Sequence, residues 1–94
     1  MNSAEALGLL ETALGRLREL SYEDLSHRVD GEPEIAEAHG PSGAVYQLEF
    51  SVMWDGGPRG NVRVMGSVDD GGWRAFVPLS RSFIKAPDGT FVGG

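Results

Sequence analysis

A chain of 94 residues with 40% hydrophobic and 23% charged residues has the length of one domain and the balance of an ordinary globular protein, which excludes wholesale disorder. No apolar run approaches the ~20 residues that a bilayer crossing requires, and Met1 to Leu10 lacks the basic segment and apolar stretch of a signal peptide, so export is not expected and a cytoplasmic location is. Cysteine is absent, which excludes disulfides, thiolate catalysis and Cys-based zinc sites.

The formal net charge of −6 is unevenly spread: Met1 to Gly40 carries nine acidic and three basic residues, whereas Pro41 to Gly94 carries five of each. An acidic chain repels phosphate backbones, so nucleic acid is a disfavoured partner unless the cations gather on one face.

Leu7, Leu10, Leu14 and Leu17 recur at spacings of three and four, flanked by Ala6 and Ala13, which predicts an N-terminal helix with a narrow apolar stripe. Asn2 or Ser3 can cap its start, and Arg16 and Arg18 suit the negative pole at its end. Ser21 to Asp24 has the form of a capping box, so a short second helix is expected there, with Leu20, Leu25 and Val29 along one side. The acidic loop Asp30 to Pro33 ends this helical part, residues 1–30.

From Glu34 the period changes from helical to alternating. Ala44 to Trp54 places Tyr46, Leu48, Phe50, Val52 and Trp54 on one face and Val45, Gln47, Glu49, Ser51 and Met53 on the other. Asn61 to Val68 repeats the pattern, with Val62, Val64 and Val68 inward beside Gly66, a position with room for a bulky group to cross. Trp73 to Leu79 is read as a further strand, with Pro78 at an edge or an end, and Ile35 to His39 as a weaker one pairing with Ala44 to Trp54. The connectors Gly40 to Gly43, Asp55 to Gly60 and Asp69 to Gly72 are short and rich in turn formers, which favours hairpins. The expected fold is α+β: two helices on one face of a four-stranded antiparallel meander spanning residues 34–79, with 80–94 as a C-terminal turn segment around Pro87, Asp88 and Gly89.

Several groups invite a chemical reading. Gly40, Pro41, Ser42 and Gly43 resemble the start of a nucleophile elbow, but Ala44 follows where glycine is required and the next element is a strand. Gly57, Pro58, Arg59 and Gly60 match a phosphate-clamping Gly-x-x-Gly loop, yet join two strands where that loop joins two helices. His27 and His39 would need acids such as Glu37, Asp69 or Asp70 to hold a metal. Asp69 and Asp70 before two glycines are what a tight hairpin demands. No cofactor or metal is expected, and an enzyme is the least favoured class.

The outer sheet face is more informative. Met53, Met65 and Phe76, with Arg63 and Arg74 among them, mix residue types enriched at interfaces. A binding or regulatory module acting through this face is the leading expectation, its partner another protein or a second copy. The alternatives are that Ser80 to Val92 folds back over the patch, or that Arg59, Arg63, Arg74, Arg81 and Lys85 bind single-stranded nucleic acid.

Overall fold

The computed structural model describes residues 1–72 and 78–93. Helix α1 (Ser3–Arg18) starts where expected: the Asn2 side chain accepts a hydrogen bond from the Glu5 N–H at 3.1 Å. Helix α2 (Tyr22–Ser26) is capped by Ser21, whose hydroxyl oxygen accepts from the Asp24 N–H at 3.0 Å. Strands β1 (Glu34–His39), β2 (Val45–Asp55), β3 (Asn61–Asp69), β4 (Leu79–Lys85) and β5 (Phe91–Val92) follow in a single antiparallel sheet of order β1-β2-β3-β4-β5.

The register fixes the faces. Leu48 opposes Val68, Phe50 opposes Gly66, Val52 opposes Val64 and Trp54 opposes Val62 across β2 and β3, while Phe83 of β4 stands against Val64. Ala6, Leu10, Leu14 and Leu25 meet this face, and with Tyr46, Leu48, Phe50, Val62, Val64, Val68 and Phe83 they form the buried core. Trp54 and Val52 are half-buried at its margin. Gly66 has the neighbour its position suggests: a Cβ there would stand 2.9 Å from Leu10 Cδ1 and 3.0 Å from the Phe50 ring. The missing side chain lets α1 settle directly on the sheet.

The last strands depart from the expected arrangement. Of the predicted strand Trp73 to Leu79, residues Trp73 to Val77 lie outside those described, and the strand paired with β3 is Leu79–Lys85. The segment from Ser80, expected to be a turn region, therefore supplies most of a fourth strand and all of a short fifth, in which Ile84 pairs with Val92 and Lys85 with Phe91. The reason is physical: the positions of β4 that share a face with Val68 and Val64 are Leu79, Arg81, Phe83 and Lys85, so two cations interrupt the apolar alternation. Lys85 tolerates burial, at 8% exposure, because its ammonium donates to the carbonyls of Arg18 at 3.0 Å and Leu20 at 2.7 Å, satisfying acceptors at the end of α1.

Helix α1 lies across β3 and β4, and α2 against β2 and β3. No described helix is long and apolar enough to cross a membrane.

Candidate functional site

The face of the sheet turned away from the helices carries a row that the register assembles from four strands: Met53 of β2, Arg63 of β3, Ile84 of β4 and Val92 of β5 stand in line. Met65 lies in the adjacent row between Ser51 and Ser82. Met53, Met65 and Val92 are 37%, 40% and 40% exposed, so three apolar side chains share an open surface with Arg63, which Met53 and Ile84 flank in the row. Among the described residues, no helix packs on this face. The C-terminal segment does not fold back over it; β4 and β5 join the sheet in plane, and Ile84 and Val92 enlarge the patch.

Arg63 is held in place. Its guanidinium donates to Asp55 Oδ1 at 3.2 Å and to Ser82 Oγ at 3.3 Å. Both ions of the Arg63–Asp55 pair are one-third exposed, so the pair orients the side chain more than it stabilises the fold. Of the five residues proposed from sequence, the structure places Met53, Arg63 and Met65 together; Arg74 and Phe76 lie outside the described residues. Ile84 and Val92 lie in the segment that the turn signal of Pro87, Asp88 and Gly89 marks as a turn region, so their spacing does not show them as members.

The chemical alternatives resolve into turns and ties. The Ser42 hydroxyl donates to Glu5 Oε1 at 2.7 Å, the Ser42 N–H donates to Glu5 Oε2 at 3.0 Å, and the Tyr46 hydroxyl donates to Glu5 Oε1 at 2.8 Å. Ser42 thus faces an acid that holds the first hairpin turn against α1, and the carboxylate leaves no room for a Cβ at Gly40. Asp69 Oδ1 and Asp70 Oδ1 accept from the N–H groups of Gly71 and Gly72 at 2.8 and 3.0 Å, the local hydrogen bonds of a turn. In the hairpin turn between β2 and β3, Arg59 adopts φ 64° and the Gly60 N–H donates to Gly57 O at 3.0 Å. His39 Nε2 lies 2.9 Å from Glu37 Oε1 on exposed side chains. Among the described residues no group of three or more His, Asp or Glu side chains is placed to hold a metal ion. The cations considered for nucleic acid are divided between the two faces: Arg63 is on the outer surface, whereas Arg81 and Lys85 are on the helix side, where Arg81 reaches to 3.8 Å from Glu11 of α1 and Lys85 is buried beneath the helix end.

The Glu5 tie has a pH signature. The Ser42 hydroxyl, the Tyr46 hydroxyl and the Ser42 N–H together hold the Glu5 carboxyl below its ordinary value of 4.5. The hydrogen bond that the Tyr46 hydroxyl donates to Glu5, with burial and the charges of Glu5 and Asp70, raises the Tyr46 phenol. A lowered carboxyl contributes stability that is fully present above the unfolded-state pKa and is lost as pH falls through the folded one. Thermal melts should therefore show Glu5→Gln less stable than the parent by a constant margin from about pH 5 to about pH 9, below the range where tyrosine titrates, with the margin shrinking in acid; a margin that persists unchanged below the lowered pKa would rule out this role for the charge.

No protein-family model, no curated protein and no solved structure matches the chain.

Proposed function

We propose that this protein is a small non-catalytic binding module of the cytoplasm that docks a protein partner through the outer face of its sheet. The observation that carries the proposal is the row Met53–Arg63–Ile84–Val92 with Met65 beside it: exposed and half-buried apolar side chains lined up with an arginine whose geometry is already set. Met and Arg are enriched at protein interfaces, and an oriented arginine loses less rotamer freedom on binding than a free one. The absence of cysteine is in keeping with a reducing compartment.

The test is a paired Met53→Glu, Met65→Glu variant. Both side chains are exposed, so the variant should keep the parent's circular dichroism and melting temperature to within about 3 °C, as expected of surface substitutions away from core features. Affinity purification from the native cell with mass measurement should give a complex for the parent and the free chain for the variant. Equal complexes from both would remove the proposal, and a parent that is simply dimeric by light scattering would replace the partner with a second copy.

A further inference from the structure

Among the described residues, strand β1 forms one border of the sheet and pairs with β2 alone. The Gly40 N–H donates to Ala44 O at 2.9 Å, and in an antiparallel ladder hydrogen-bonded and non-bonded pairs alternate. The register Ala38↔Tyr46, Ala36↔Leu48 and Glu34↔Phe50 therefore turns the backbone groups of residues 34, 36 and 38 toward β2. The N–H and C=O groups of Ile35, Glu37 and His39 point out of the sheet. Of the six residues of β1 only Ala38 is even half-buried, so these groups are open to a second strand.

Next to this border is an apolar groove. Leu9, Ala13 and Leu17 repeat every fourth residue along α1 and form one wall; Ala36 and Ala38 form the other, above Leu48 and Phe50. It continues past Leu17 and Phe50 toward Val52 and Gly31. Because α1 sits over β3 and β4, the short side chains of Ala36 and Ala38 leave space into which larger side chains on an added strand can lean.

The charge around the border selects the occupant. Glu32, Glu34 and Glu37 line β1 and its approach; Arg28 is engaged by Glu34 at 3.2 Å, Arg16 stands on the helix wall, and His39 meets Glu37. A second copy paired edge to edge about Glu37 would set that carboxylate against its own counterpart, the charged-edge device by which sheets avoid pairing with themselves. A basic segment meets complementary charge.

We propose that the β1 border and the α1–β1 groove form a strand-acceptor site for an extended segment of a partner protein that alternates apolar and basic residues. The ladder groups of Ile35, Glu37 and His39 supply the affinity, the groove receives the apolar side chains, and the glutamates set the charge preference. This site is separate from the outer-face patch on β2 to β5.

The test uses the full chain, nitrogen-15 labelled, with two blocked nonapeptides, one alternating valine with lysine and the other valine with glutamate. The lysine peptide should slow amide exchange at Ile35, Glu37 and His39 by about tenfold or more and shift the resonances of Leu9, Ala13, Ala36 and Ala38, whereas the glutamate peptide should bind at least about tenfold more weakly. Glu37→Lys should weaken binding of the lysine peptide by about tenfold while the fold persists. Glu37→Pro, which removes an N–H that points out of the sheet, should keep the parent's circular dichroism and lose the slowing at Ile35 and His39. No slowing at these amides with about 1 mM lysine peptide, a weak-binding threshold, would overturn the proposal. Equal binding of both peptides would also overturn it, as would protection of the same amides in a peptide-free dimer. The Met53→Glu, Met65→Glu variant should bind the lysine peptide as the parent does, so this proposal and the outer-face proposal fail separately.

Discussion

Gly66→Val should lower stability by about 2–3 kcal/mol, a fall in melting temperature of roughly 10–20 °C for a chain of this size. The valine Cβ would meet Leu10 Cδ1 at 2.9 Å and two atoms of the Phe50 ring at 3.0 and 3.1 Å. Against this stands the gain from a β-branched residue in place of glycine within a strand, about 0.5–1 kcal/mol. The steric term wins because Leu10 is fully buried and Phe50 is nearly so, leaving neither an open rotamer. Leu10→Ala alone should also destabilise, by about 2–5 kcal/mol, through the cavity it opens. Combined, the two substitutions should cost less than their sum by about 1–2 kcal/mol, since the valine methyls occupy space the leucine vacates. Urea unfolding of the four proteins measures the cycle. Additive costs would mean that the helix does not rest on this glycine.

Lys85→Met should cost about 1.5–3 kcal/mol, the range for hydrogen bonds to a charged group. The methionine retains most of the apolar stem, so the substitution isolates the ammonium and its bonds to Arg18 O and Leu20 O. It also removes a cation from the negative end of α1 and from beside the Phe91 ring, whose centroid is 5.1 Å away. A variant with the parent's urea midpoint would show that solvent satisfies those carbonyls equally well.

The parts of the molecule legible from sequence are those in which one periodicity states both the element and its buried face. The Leu10–Leu14 stripe, the Asn2 and Ser21 caps and the alternation from Tyr46 to Val68 each follow from local spacing, and Gly66 announced a crossing by its place among inward valines. Strand β4 escaped because Arg81 and Lys85 occupy two of its helix-side positions, and their tolerance depends on Glu11 and on helix carbonyls more than sixty residues distant. Strand β5 is two residues long, too short to show any period. The outer patch was half legible: Met53, Arg63 and Met65 alternate correctly, but Ile84 and Val92 enter through the unrecognised strands. Leu9 is different in kind, since its spacing of four to Ala13 and eight to Leu17 was available, and only the position of α1 over β3 and β4 shows that this second stripe borders a groove.

The route by which the chain reaches this arrangement is written in its ties. Every described strand pairs with the strand next to it in sequence, so the sheet's contacts close short stretches of chain at small entropic cost. The helix is secured at one end by Glu5, which reaches 37 residues ahead to Ser42, and at the other by Lys85, which reaches back 67 residues to Arg18. The meander can assemble from local encounters, whereas the roof is fastened only when distant stretches of chain have been gathered. Loosening either tie should release α1 ahead of the sheet, and in Lys85→Met the amides of α1 should lose exchange protection before those of β2 and β3.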